Sequence, residues 1–418
     1  MPDRSTKFTG IRFENPFLLS SAPPTESENN ILRAFEAGWG GVVTKTIGLH
    51  PVVNVVGAKA KFMRTSPDDA YVSMKKRPGA ALHSSWNWEL ISDKAIDWWV
   101  PRIRRIKEAY PSRVLIASIM AGSGNDKELR NWQTLANACQ DNGADGLELN
   151  FSCPHMDRKD MGSNIGKDQG LCSVVTEAVQ ENGADGIECN FSCPHMDRKD
   201  MGSNIGKDEG LCSVVTEAVK EVAKVPVWCK LTPATSDMVV EAAACFRGGA
   251  DAIVSSNTFP SLPMIDPETL EFEINVDGKV SSGGLGGPAI LPMSLANMAR
   301  MTNAFPDRAF SGIGGVSDFA QALSYFLLGC GTVQVCTAAM LDQAVGPNVI
   351  KRLNAGLDAF LEAHAADGWK KVDDFRGARR DRVVLQSDIR RPDTSDYQGG
   401  YEPVEGYAAP EHATARVS

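Results

Sequence analysis

No two of the ten cysteines stand three residues apart, so the C-x-x-C spacing of zinc ribbons and ferredoxin clusters is absent. The six histidines are isolated, and no metal site is expected from them. There is no excess of positive charge: the formal net charge is −9, which argues against nucleic acid or an anionic membrane as partner. No apolar run is long enough to cross a bilayer. The first residues, MPDRSTKFTG, lack the apolar core of a signal peptide. Free cysteines scattered through strand and helix patterns suit a reducing compartment, and the expected location is the cytoplasm.

What is present is an alternation of short apolar runs with helical patterns, the signature of parallel βα units. Strands are predicted at Phe17–Pro23, Val42–Ile47, Val114–Met120, Val227–Thr232, Ala252–Thr258, Ala309–Gly315 and Thr332–Ala338. Helices are expected at Glu28–Gly38, at Asp93–Tyr110 before Pro111, and from a cap at Ser236 to the Gly248–Gly249 pair. Long connections leave the second strand (Leu49–Ser92) and the sixth (Phe259–Leu291), the latter with an Asp-Gly hairpin turn at Asp277–Gly278. Both leave C-terminal strand ends, where barrel enzymes build their sites. From residue 365 the chain reads as a polar tail, either weakly ordered or an arm onto a neighbour.

Forty residues occur twice in tandem, at 141–180 and 181–220, differing at five positions. Each copy holds a strand (Gly146–Ser152, Gly186–Ser192), a polar loop and a helix. With one copy the strand count is eight, that of a (β/α)8 TIM barrel spanning residues 1–364; with both it is nine. Strand number is linked to shear and tilt in a closed barrel. One copy is therefore expected to complete the wall and the other to be extruded.

The motif NFSCPH ends each copy's strand, at Asn150–His155 and Asn190–His195. Its thiol, Cys153 or Cys193, can serve as acid, base or nucleophile at a barrel mouth. A packed cysteine is the plainer reading, but the following proline and polar loop favour a site. Lys45 in VVTKTIG and Lys230 in VWCKLTP interrupt apolar strands, and a buried lysine is costly without a counter-charge. As a pair they suggest an anionic or electron-rich ligand. Asn87 and Asn257–Thr258 offer the donors and acceptors that a pyrimidine edge needs. Gly312-Ile-Gly314-Gly315, Cys336–Thr337 and the glycines from 283 to 287 fall where barrels cradle phosphate, after the last two strands.

With NPFLLSSAPPT, VVTKTIG, NWELISDK, GADGLELNFSCPH, KLTP, GGLGGPAI, SGIGGVSD and VQVCTAAM, the chain resembles the FMN barrel of dihydropyrimidine dehydrogenases, within the dihydroorotate dehydrogenase superfamily. The resemblance spans about residues 8–340. It implies FMN held by Ala22, Lys45, Thr46, Lys230, Gly287, Gly314, Gly315, Cys336 and Thr337. Asn87, Asn150 or Asn190, Asn257 and Thr258 would bind a pyrimidine, with Cys153 or Cys193 as proton donor. The implied reaction is reduction of the C5=C6 bond of uracil or thymine, or its reverse, by an oxidoreductase acting on CH–CH bonds. Electrons would come from NAD(P)H through a flavoprotein or iron–sulfur partner subunit, since the chain carries neither a ferredoxin-like cysteine run nor a Rossmann segment. An oligomer is expected. The alternatives are a dihydroorotate dehydrogenase-like enzyme acting on another cyclic substrate, and a flavin-binding protein inactivated by the duplication.

Overall fold

The computed structural model describes residues 2–52, 62–65, 84–88, 91–121, 126–149, 187–190, 209–222, 226–233 and 235–390. Its centre is a closed ring of nine parallel strands: β1 (Phe17–Leu19), β2 (Gly41–Val43), β3 (Val114–Ile119), β4 (Gly146–Leu149), β5 (Ile187–Asn190), β6 (Val227–Lys230), β7 (Ala252–Ser255), β8 (Ala309–Ile313) and β9 (Thr332–Val335). Each strand pairs with its sequence neighbour, and β9 closes onto β1 through Gln334 and Leu18. This is the TIM-barrel wall that the βα alternation predicts, with the strand of the duplicated unit added to the eight.

The expected extrusion of one copy does not occur among the described residues. The strands of both copies stand side by side in the wall, in the register of the repeat itself: Leu147 faces Ile187 and Leu149 faces Cys189. On the outer flanks Ala117 faces Leu147, and Ile187 faces Val227. The physical reason lies in the ladder. A parallel strand offers the same pairing edge to any neighbour of like register, so an identical unit extends the sheet without leaving backbone groups unpaired.

Side chains sort to two faces of the wall, as the period of two requires. Leu19, Val42, Leu115, Ala117, Ile119, Val227, Ile253 and Val333 pack outward against the helices. Leu18, Val43, Ile116, Trp228, Val254 and Ile313 fill the interior. An N-terminal hairpin (Thr6–Phe8 with Ile11–Phe13) joins that interior cluster through Phe8 and Phe13, and Trp228 Nε1 donates to Thr9 Oγ1 at 2.7 Å. The hairpin thus plugs the N-terminal end of the barrel and leaves the opposite end as the mouth.

Helix ends follow the sequence closely. The first helix, Glu28–Ala37, starts at Ser27, which accepts from the Asn30 N–H, and stops at Gly38 with φ +112°. The helix after β6, Met238–Arg247, is capped by Asp237 rather than the expected Ser236; the Asp237 carboxylate accepts the Val239 N–H. The turn at Asp277–Gly278 forms with both φ positive, +51° and +72°, between paired Val276 and Lys279. The compact barrel unit runs to Asp381, beyond the boundary placed at 364, and Arg382–Ser418 forms a second unit. Val372 and Phe375, inside a polar-looking stretch, are buried and join the outer core.

Candidate active site

The long connections after β2 and β7 meet over the mouth. Four short antiparallel strands, Phe62–Thr65, Ser84–Asn87, Gly283–Gly286 and Phe259–Ser261, form a sheet in that order. Gly286 faces Ser85 and Gly284 faces Asn87, so two predicted elements of the site arrive on adjacent strands. Asn87 Nδ2 donates to the Gly284 carbonyl at 3.4 Å. The sheet is tied to the end of β9: Ser85 Oγ and Thr337 Oγ1 lie 2.9 Å apart, and the Ala289 N–H donates to Ser84 Oγ at 2.9 Å.

Glycine is required where these pieces converge. A Cβ on Gly287 (φ +93°) would stand 2.8 Å from Thr337 Cγ2 and 3.0 Å from Ser84 Cα. A Cβ on Gly314 (φ +128°) would stand 2.5 Å from Ser294 Oγ. The carbonyl of Gly314 accepts from Tyr325 Oη at 2.8 Å, which holds the loop after β8 from behind. Gly287 packs directly on Thr337 after β9, and Gly314–Gly315 after β8 pack on Ser294 and Leu291, so that at each the neighbouring side chains leave no room for a Cβ. The loops after the last two strands of a barrel are where backbone N–H groups commonly meet a phosphate. Beside these loops a cleft of about 300 Å³ is lined by Pro288, Ser317, Ala338, Asp342, Asn348 and Arg352, among others.

The two lysines stand across the ring. Lys230 is the last residue of β6 and Lys45 lies two residues beyond β2, with β3, β4 and β5 between them on one side. Both are buried, at 4% and 9% exposure, so both side chains belong to the barrel rather than to solvent. Thr46, next to Lys45, shares a hydrogen bond with Ser118 (2.9 Å), and its carbonyl accepts the Ser92 N–H. Ala22 starts the turn after β1, where its carbonyl accepts from Thr25 Oγ1 at 3.0 Å. Asn257 follows β7; its N–H donates to Leu231 O, just past Lys230, and its Oδ1 accepts the Thr258 N–H. Thr258 in turn borders Gly284, whose Cβ would lie 2.2 Å from Thr258 Oγ1.

Of the predicted site residues, Ala22, Lys45, Thr46, Asn87, Lys230, Asn257, Thr258, Gly287, Gly314, Gly315, Cys336 and Thr337 all lie at strand ends or loops of the mouth. Asn190 ends β5, with its backbone in register with Lys230. Cys153, Cys193 and Asn150 lie outside the described residues. Cys139, Cys212, Cys229, Cys245 and Cys330 are buried packing residues, and burial pushes the Cys139 thiol up to about 12, which leaves it unreactive. Cys336 is only half-buried.

Sequence reasoning missed the hydroxyls behind the glycines: Ser84, Ser85, Ser256, Ser294 and Tyr325. Ser84 and Ser85 precede Trp86 as a polar doublet and could have been read as part of the Asn87 loop. Ser256 and Ser294 share a hydrogen bond of 3.1 Å although 38 residues apart, and nothing local signals that pairing. It missed Gln334 as well, inward on β9 in register with Leu18 and Ile313; both of its amide atoms are buried without a partner.

A parallel barrel that brings two buried lysines and close-packed glycines to its C-terminal mouth has the build of a barrel enzyme. The dihydroorotate dehydrogenase family matches residues 175–361. The chloroplastic dihydropyrimidine dehydrogenase (NADP(+)) of Arabidopsis thaliana is 32% identical over 397 residues, covering 93% of this chain and 79% of the relative. The Escherichia coli NAD-dependent dihydropyrimidine dehydrogenase subunit PreA is 32% identical over 395 residues, covering 93% and 80%. The catalytic subunit of dihydroorotate dehydrogenase B (NAD(+)) from Methanothermobacter thermautotrophicus is 35% identical over 376 residues, covering 90% and 98%. The chain belongs to the dihydroorotate dehydrogenase superfamily, on the side of its dihydropyrimidine dehydrogenases. It is an oxidoreductase of the CH–CH class, from a family of flavoenzymes. Among the described residues no helix is long and apolar enough to cross a membrane.

Proposed function

We propose that the protein binds FMN at the barrel mouth and reduces the C5=C6 bond of uracil or thymine, or catalyses the reverse reaction. The observation that supports this reading is that Gly287, Gly314, Gly315 and Thr337 sit in the loops after the last two strands and the mouth sheet, held there by contacts too close for any Cβ on the glycines, which is where barrel enzymes bind phosphate. Gly287, Gly314, Gly315, Cys336 and Thr337 would hold that phosphate; Ala22, Lys45, Thr46 and Lys230 would hold the rest of the cofactor. Bound FMN supplies hydride transfer, which no side chain can perform.

The chain's own residues bind, orient and move a proton. Asn87, Asn257, Thr258 and an NFSCPH asparagine, Asn150 or Asn190, would fix the pyrimidine by its alternating donors and acceptors. Lys230, brought into the barrel on β6, would place positive charge against the electron-rich side of the ligand pair. Cys153 or Cys193 would donate a proton to C5; a thiol of ordinary pKa, about 8.5, is protonated near neutrality and suited to that task. The sheet of Ser84–Asn87 and Gly283–Gly286 would cover the reacting faces and keep water out. Electrons from NAD(P)H would enter through a partner flavoprotein or iron–sulfur subunit, as the word subunit in the name of the Escherichia coli relative suggests. The expected setting is the cytoplasm.

A second reading is favoured by the Methanothermobacter relative, which aligns over almost its whole length: oxidation of dihydroorotate at the same mouth. Anaerobic mixing of dithionite-reduced protein with each acceptor separates the two. Return of oxidised-flavin absorbance with uracil or thymine, but not with orotate, supports the first; return with orotate alone overturns it.

A further inference from the structure

Gln334 is the last inward residue of β9. Val333 and Val335 on either side of it pack outward with the helices, while its register partners Leu18 and Ile313 belong to the interior cluster. The residue is 1% exposed, and neither its Nε2 nor its Oε1 has a hydrogen-bond partner. Its surroundings offer little. Val43, Ile116 and Val254 are apolar, and the indole N–H of Trp228 is taken by Thr9 Oγ1. The hydroxyls one inward position lower on the wall satisfy each other, with Thr332 Oγ1 donating to Ser311 Oγ at 2.8 Å. Phe8 and Phe13 close the barrel below.

A buried primary amide with both atoms unpaired is costly, because each has given up its water for nothing. The partner that fits must offer a donor and an acceptor together, since the amide presents one of each. Its direction is set by the ladder. From Lys230 the register runs through Val254 and Ser311 to Thr332, so Gln334 stands one inward position nearer the mouth than the line of that lysine. Two residues further on, the same chain reaches Cys336 and Thr337, proposed above for the phosphate.

We propose that Gln334 is a flavin-binding residue, whose amide pairs with the imide edge of the flavin ring: Nε2 donates to a ring carbonyl and Oε1 accepts from N3–H. The inference rests on the flavin reading above and adds to it a residue inside the wall. Depth selects the cofactor rather than the pyrimidine substrate. Asn87, Asn257 and Thr258, proposed for the substrate, come from connections beyond the ends of the barrel strands, whereas Gln334 lies within β9. The pairing has a consequence for the protein without flavin, which carries the cost of two unmade hydrogen bonds that the bound ring removes. One substitution should therefore act with opposite signs on stability and on binding, as a residue that merely packs the barrel would not.

The test uses the full chain stripped of flavin, as wild type and as Gln334→Met, which keeps the length of the side chain and removes the amide. Each is titrated with FMN and with 3-methyl-FMN, whose ring lacks the N3 proton, and binding is followed by flavin fluorescence. Thermal unfolding is recorded without ligand. The expected Met variant unfolds about 1–3 °C above wild type, since it buries no orphaned polar atom, yet binds FMN about tenfold or more weakly. Wild type should prefer FMN to the 3-methyl analogue by about tenfold, and the variant should lose most of that preference. A wild type that binds both flavins alike would overturn the proposal without recourse to any variant. So would a Met variant that binds FMN as tightly as wild type, keeps the preference, or unfolds earlier. In each of these cases the flavin reading stands. A wild type that takes up no FMN would overturn that reading itself, and this inference with it.

Discussion

At the scale of single residues, the mouth is made by what is missing from a few side chains. Gly314 is the clearest case, because its φ of +128° disfavours any side chain and a Cβ there would stand only 2.5 Å from Ser294 Oγ. Gly314→Ala is expected to cost about 1–3 kcal/mol of strain. It should also weaken FMN retention by about tenfold or more, measured by fluorescence of released flavin; retention equal to wild type would show that this backbone does not face the phosphate. Glu241 makes a different point. It is buried in the helix after β6, one carboxylate oxygen accepts from Thr235 Oγ1, and the other has no partner. Burial raises its pKa above the usual 4.5, with Asp237 and Glu209 adding in the same direction. Arg300 pairs with that aspartate and Arg247 with that glutamate. A proton held more tightly in the folded state gives stability that is complete below 4.5 and falls as pH rises toward the raised value. Glu241→Gln should remove that decline, seen as a flatter plot of denaturation midpoint against pH. A slope unchanged from wild type would assign the effect to other groups.

At the scale of elements, the barrel units were legible and the lid was only half so. VVTKTIG and VWCKLTP read as strands because each opens on apolar residues and turns polar from its lysine or the residue before it, as a buried strand opening on a polar mouth does. Gly38 and the Asp277–Gly278 turn were legible for local reasons: each needs a positive φ, and the residue type says so. The mouth sheet was not legible, since its four strands come from two connections nearly 200 residues apart and pair only through tertiary contact. Trp369, Val372 and Phe375 were lost to the tail because their neighbours are charged; Val372 and Phe375 are buried in the outer core and Trp369 is half-buried, with Phe375 packed on Phe326 and Phe360 and Trp369 stacked on Phe360. Within the lid, Gly283 lies against the Trp86 ring, where a Cβ would come within 2.1 Å of Cζ2. Gly283→Ala should therefore separate these strands at a cost of about 1–3 kcal/mol. Limited proteolysis should then cleave the 262–282 hairpin faster, with barrel helices still protected; unchanged cleavage would mean that Trp86 gives way.

At the scale of the whole molecule, the duplication decides the ring. The repeat and the barrel were both plain in the sequence, but the constraint of closure favoured eight strands over nine. That constraint leaves out the self-pairing of the repeat in register, by which each copy keeps one of its two proper neighbours: Ala117 beside Leu147, Val227 beside Ile187. Removing residues 141–180 or 181–220 would bring those neighbours onto a single strand. Either deletion is thus expected to give a folded protein that still binds flavin, as judged by circular dichroism and visible absorption. Loss of folding in both deletions would show that nine strands are obligatory. The central claim is simpler than the strand count: the lysines and the close-packed glycines of the mouth exist to hold one FMN. The most direct test is to denature the purified protein and identify and quantify the released cofactor by chromatography. One FMN per chain is the predicted result; no flavin, even after incubation with FMN, would contradict the account.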